Sequence, residues 1–151
     1  MSYAPQNIGS IVRVTTALRP VSQVAIGSFG LNGITIDRLA NAHDSAVFHI
    51  AVGAATGTPS AIAVDAKLQQ RDAGGTFADV VVSKSNPAVA ITQIVTSNVS
   101  RVLSIDLRGL RREVRLVFQV AFTGGTTPAI PISAIVALGG ALKEPVVQSA
   151  P

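Results

Sequence analysis

The chain has no cysteine, no tryptophan and a single tyrosine, and aromatic residues make up only 4% of its 151 positions. Without cysteine there is no disulfide framework, no thiolate nucleophile and no cysteine-ligated zinc or redox centre, and the compartment is left open. With so few rings, the core has to be built from Val, Ile, Leu and Ala, and a hydrophobic content of 48% supplies them. Such a core favours strands. Charge is scarce too. Lys, Arg, Asp and Glu amount to 13% of the chain, against about 25% in ordinary soluble domains. The net charge of +4 and the pI of 10.4 therefore reflect a small excess of bases over few acids. Most of the surface must be uncharged, and the abundance of Ala, Val, Gly and Thr suggests an outside partly covered by other subunits.

Long apolar runs are missing as well. "AIPISAIVALGGAL" (129–142) holds two Gly and a Pro and falls short of the ~20 residues needed to span a bilayer, so no membrane association is expected. "MSYAPQNIGS" has neither a basic start nor an apolar h-region, and no secretory signal is expected. The length suits one domain, burying roughly 68–70% of its unfolded surface.

What is present is period-two alternation. In "SAVFHIAVG" (45–53), Phe48, Ile50 and Val52 share one face and Val47, His49 and Ala51 the other. In "AIAVDAKLQQ" (61–70), Ile62, Val64, Ala66 and Leu68 oppose Asp65, Lys67 and Gln69. "SRVLSIDLRG" (100–109) sets Leu103, Ile105 and Leu107 against Ser104, Asp106 and Arg108. "EVRLVFQVAF" (113–122) sets Val114, Leu116, Phe118, Val120 and Phe122 against Glu113, Arg115 and Gln119. "PAIPISAIVAL" (128–138) continues in phase, with Pro131 placing its start at an edge or a bulge. Weaker candidates are 10–18, 23–29, 33–39, 77–83 and 88–96. Turn signals separate them, among them Leu31-Asn32-Gly33, Gly74-Gly75, Ser85-Asn86-Pro87 and Gly124-Gly125.

The expected fold is all-β, an antiparallel β-sandwich or jelly-roll-like domain of about eight to ten short strands. The domain spans 10–142, with an N-terminal arm at 1–9 and a C-terminal arm at 143–151.

The candidate chemistry is thin. His43, Asp44 and His49 form the only His-based cluster and lack a ligand spacing, so no metal is expected. No Ser sits in a nucleophile elbow, nothing selects a pair among Asp65, Asp72, Asp79 and Asp106, and neither Gly-Gly loop is followed by Lys-Ser/Thr and a helix. Neither a cofactor nor an enzymatic activity is expected. "VDAKLQQRDAGGTFADVVV" (64–82) therefore reads as a hairpin in which Asp72, Gly74 and Gly75 provide the turn and its positive φ values.

The one concentration of charge is "RGLRREVR", with Arg108, Arg111, Arg112 and Arg115. Stacking aromatics are absent nearby, so direct nucleic-acid contact is not expected. The cluster reads as a hairpin cap and an interface to acidic groups on a partner, since the planar guanidinium pairs bidentately with carboxylates. The polar face of Asp65, Lys67 and Gln69 is a second candidate interface.

The stretches "VDAKLQQRDAGGTFADV", "LSIDLRGLRREVRLVFQVAF" (read as a hairpin) and "TGGTTPAIPISAIVALGGA" resemble small virion structural proteins of tailed bacteriophages, most of all β-sandwich head decoration or cement proteins. The resemblance covers roughly residues 45–141 and carries over no individual functional residue. It implies a protein made in the host cytoplasm and placed on the capsid surface of the virion. There it would bind the major capsid protein, and itself as a dimer or trimer, and strengthen the shell. Two other readings stay open: a carbohydrate- or receptor-binding module, against which the lack of Trp and Tyr platforms counts, and another virion part such as a tail or head-to-tail connector protein.

Overall fold

A computed structural model describes residues 11–40, 42–81 and 89–140. Both arms, the 82–88 portion of two weaker strand candidates, and Tyr3 lie outside the described residues. Nine strands are found among those described: β1 (Arg13–Gln23), β2 (Ile26–Asn32), β3 (Ile36–Asp37), β4 (Ser45–Val52), β5 (Ala61–Arg71), β6 (Ala78–Asp79), β7 (Val99–Asp106), β8 (Glu113–Thr123) and β9 (Ile130–Gly139). They form two antiparallel sheets, ordered β1-β9-β4-β7 and β2-β8-β5-β6, with β3 also on β8.

The pairings show how the chain is laid out. β1 pairs with β9, β2 with β8, β4 with β7 and β5 with β6, so the first half of the chain runs back along the second as one long ribbon. Its tip is the loop Asp72–Phe77, near the middle of the sequence. Rolling that ribbon brings β4 beside β9 and β5 beside β8. A four-stranded sheet and a five-stranded one, the latter four strands plus the short β3, connected in this order are a jelly roll.

The sequence pattern explains the register. Phe48 and Ile50 of β4 and Leu138, Val136, Ala134 and Ile132 of β9 face the interior from one sheet. Val64, Ala66 and Leu68 of β5 and Val114, Leu116, Phe118 and Val120 of β8 face it from the other, and each is at most 2% exposed. Together they form one hydrophobic cluster. Each large side chain moved out of water contributes about 1.5–3 kcal/mol. A one-residue slip would turn this whole set to solvent, and the ladders through the centre run without a shift: eleven pairs between β5 and β8, eight on each side of β4.

Several expectations need correction. The 103–122 stretch is not a hairpin: β7 pairs with β4 in one sheet and β8 with β5 in the other, so residues 107–112 cross between the sheets. Alternation on each side of a turn was the signal for a hairpin, but it is satisfied equally by strands in facing sheets. β9 is an internal strand, so of the two places expected for its start the edge is ruled out, whereas its ladder with β1 does shift register close by, between Leu18–Ala134 and Val21–Ile132. Pro131 is accommodated because it lies one residue beyond the last β4–β9 pair, Val52 with Ile132. The described part of the 88–96 candidate does not form a regular strand either. Ile91 and Ile94, three residues apart, both reach the core, which a period of two forbids. The segment instead follows the free edge of β5, with Leu68 N–H donating to Val89 O at 2.8 Å, Ile91 N–H to Ala66 O at 3.0 Å, and Val64 and Ile94 exchanging bonds of 2.9 Å.

The Gly-Gly loop is a turn, closed by Gly75 N–H donating to Asp72 O at 2.9 Å. Only Gly74 takes a positive φ (73°); Gly75 does not.

Gly33 lies between β2 and β3, both on β8, at a point where the backbone touches strands of both sheets. Its N–H donates to Leu116 O of β8 at 2.8 Å, and the next N–H, of Ile34, donates to Ala17 O of β1 at 2.7 Å. A Cβ at Gly33 would lie 2.6 Å from Ala17 O and 2.8 Å from Leu116 O. Both are backbone atoms of ordered strands, so neither can swing away. Gly33→Ala is expected to destabilise the fold by about 1–3 kcal/mol in urea unfolding. At Gly27, where a Cβ meets nothing within 4 Å, the same change is expected to stay within about 0.5 kcal/mol.

Candidate interaction surface

The two sheets have outer faces of opposite character. On the β2-β8-β5-β6 sheet, directly paired residues carry charge or amide groups: Asp65 opposite Gln119, Gln69 opposite Arg115, Arg71 opposite Glu113. Residues directly opposite on adjacent strands share a face and interact. Lys67 Nζ lies 2.7 Å from Asp79 Oδ2, and 4.2 Å from the centre of the Phe29 ring. Gln69 donates to Asp79 at 3.0 Å and accepts from Arg115 at 2.9 Å. Arg71 bonds Glu113 at 2.5 Å, and Asp65 accepts from Gln93 at 3.0 Å. Phe77 is held between two guanidinium groups, with Arg71 4.3 Å and Arg115 3.8 Å from its ring centre. Such stacking is worth about 0.5–2 kcal/mol per pair. Burial raises the Asp79 carboxyl, but the bonds from Lys67 and Gln69 outweigh it and hold the group below its ordinary range.

Asp65, Lys67 and Gln69 are thus brought together on one face, as expected, and each also has a partner in its own chain. The same holds for the arginines, which fall into two places. Arg115 is on β8 beside Gln69. Arg108, Arg111 and Arg112 are in the crossing between sheets, each with a separate acid. Arg108 pairs with Asp106 at 2.7 Å and holds its carboxyl down to about 2. Arg112 pairs with Asp37 at 2.7 Å and lowers it too, chiefly by that hydrogen bond. Arg111 reaches Asp72 of the ribbon tip at 3.2 Å. Arg38 adds a hydrogen bond to Leu110 O from the β3 side. The charges expected to meet a partner are matched internally, pinning the crossing to β3, β7 and the tip loop.

The outer face of the β1-β9-β4-β7 sheet is different. The register sets Thr16, Ile135, His49 and Val102 side by side across the four strands, and Val14, Ala137, Val47 and Ser104 in the next row. Neither row contains a charged group of the Lys, Arg, Asp or Glu type. Its aliphatic side chains are open to solvent: Val14 is 50% exposed, Val47 42%, Val102 59% and Ile135 48%. Selecting residues for their charge missed this face. The signal was present in 45–52 and 130–138, where the second phase of the alternation is as uncharged as the first.

His43 and His49 are not brought together. His49 is on this outer face, whereas His43, in the loop before β4, is fully buried with neither ring nitrogen hydrogen-bonded. Burial lowers its pKa from 6.5, the nearby Arg13 lowers it further, and the Gly139 backbone opposes both weakly. A depressed histidine pKa means that the unfolded chain binds the proton more readily. Stability is therefore full above about pH 6.5 and is lost as pH falls from there through the folded-state value. His43→Leu is expected to flatten that acid-side slope in urea melts taken across the range, with stability at neutral pH kept or raised because two buried unpaired nitrogens are removed.

No protein-family model matches the chain, and no curated protein matches it. Among solved structures it is similar to the SPBc2 prophage-derived protein YomS, at 14% identity and a TM-score of 0.41 over 83% of this chain and 92% of that one. It is also similar to a chain of Desmodium yellow mottle tymovirus, at 10% identity and a TM-score of 0.35 over 100% of this chain and 92% of that one.

Proposed function

We propose that this chain is a non-enzymatic structural protein of a virion, a decoration or cement protein that binds the outside of a phage capsid and stabilises it through subunit contacts. The observation that carries this reading is the pair of uncharged central rows on the outer face of the β1-β9-β4-β7 sheet, where Val14, Val47, Val102 and Ile135 are held open to solvent. A sheet face that only met water would be expected to alternate apolar inward with polar outward. Burying aliphatic surface yields about 25 cal/mol per Å², part of which offsets the cost of association. Repetition over a capsid lattice adds avidity.

The jelly roll is compatible with this role and does not select it, since the same fold serves capsids, lectins and cupins. The carbohydrate-binding reading asks for exposed rings, and the five phenylalanines are otherwise engaged. Phe48 and Phe118 are buried, Phe122 packs on the core, Phe77 is stacked between arginines and Phe29 lies against Lys67. Lys67, Arg71, Arg108, Arg111 and Arg112 are each matched with an acid of their own chain, which favours contact through apolar surface over contact through those ion-pairing groups.

The test is to purify particles from cells producing this chain and to quantify it against the shell protein by mass spectrometry. A fixed copy ratio, in particles that lose heat resistance when the chain is left out, is the expected outcome. Its absence from purified particles contradicts the reading.

A further inference from the structure

We propose that the outer face of the β1-β9-β4-β7 sheet is a homotypic interface, through which two copies of this chain associate face to face about a two-fold axis. The proposal rests on reading the chain as a protein of subunit contacts, and it names the partner of the open face. In an isologous contact the same patch meets itself. Any charge on such a patch risks meeting its like, and an unpaired charge buried there is costly. The two central rows, from Val14 and Thr16 across to Val102 and Ser104, contain no Lys, Arg, Asp or Glu and so avoid that cost. Of the charges flanking these rows, Asp106 is already held by Arg108 at 2.7 Å, and exposed Arg19 lies on the edge strand β1, in the register shift between Leu18 and Val21. A charged partner surface would find nothing on these rows to pair with, whereas a second copy offers matching aliphatic and hydroxyl groups.

The size fits as well. Four strands spaced about 4.8 Å apart and eight residues long at about 3.4 Å each give a face of about 500 Å², made of the two central rows and the one on each side of them. Two copies would then bury about 1,000 Å² in all, the lower bound for a specific interface. The ladder along β4 is unbroken from Ser45 to Val52 on both sides, so the centre of the face, around Val47 and His49, has no bulge to keep two copies apart.

The experiment is sedimentation of the purified chain alone over a concentration series, with Val47→Lys and Ile135→Lys on the proposed interface and Gln119→Lys on the opposite sheet. The expected result is a concentration-dependent dimer whose dissociation constant rises more than about 100-fold in each interface variant and is unchanged in Gln119→Lys. Thermal melting checks that the variants fold. If the lysine variants fail to fold, His49→Cys gives a single thiol in a chain that otherwise has none. Its labelling should slow as protein concentration rises. A wild-type chain that is monomeric throughout overturns the proposal. So does a dimer unaffected by both interface lysines or equally weakened by Gln119→Lys, or a thiol in the His49→Cys variant whose labelling ignores concentration. Because no other virion part is present, these outcomes are separate from whether the chain is found in particles.

Discussion

The structure depends on burying one face of each of two sheets against the other while the two halves of the chain stay paired. β4 and β9 on one side and β5 and β8 on the other supply the aliphatic faces that must meet. Because these four strands come from all along the chain, closing the core also fixes the ribbon that joins them. The pairs β1–β9, β2–β8 and β4–β7 then follow from where the core strands have to be. The contacts are mostly long-range in sequence, so loop-closure entropy is spent before the core rewards it, and slow folding is the physical consequence.

Charge is distributed in keeping with that arrangement. Among the described residues the ion pairs are gathered at the crossing between sheets and on one outer face, where Asp37, Asp72, Asp79, Asp106 and Glu113 each hold a cation. Exposed pairs of this kind are worth about 0.2–1 kcal/mol, so their larger effect is to fix the position of the crossing and to cover the Phe77 ring. The other outer face is left without charge along its central rows. A basic chain with a high pI thus presents a sheet face whose centre is free of charge, which the average composition conceals.

Much of the fold was legible in the sequence. The all-β class, the number of strands and the inward phase of β4, β5, β7, β8 and β9 all follow from alternation, because one-sided burial is what alternation encodes. Partnership between strands is not encoded that way, and so the 103–122 stretch read as a hairpin although its strands belong to different sheets. The looping of β2 was hidden too. Its ladder with β8 jumps from Ile26–Val120 to Leu31–Phe118, and Ser28 and Phe29 take φ values of 53° and 52°, which brings Phe29 over Lys67. Only the Gly27 and Gly30 flanking that turn hint at it. For the candidate surface, charged residues drew attention to Arg108–Arg115 and to Asp65, Lys67 and Gln69, while the open face is recognisable only by what it lacks.

The central claim is that the outer face of the β1-β9-β4-β7 sheet, uncharged along its central rows, is the face this protein uses. A map of the assembled particle at side-chain resolution tests it most directly, by showing which sheet of each copy is covered. The account predicts that Val47, Val102 and Ile135 are buried under protein, with Lys67 and Arg115 left facing solvent. A map in which the β2-β8-β5-β6 face is covered and the β1-β9-β4-β7 face is open to water would contradict it.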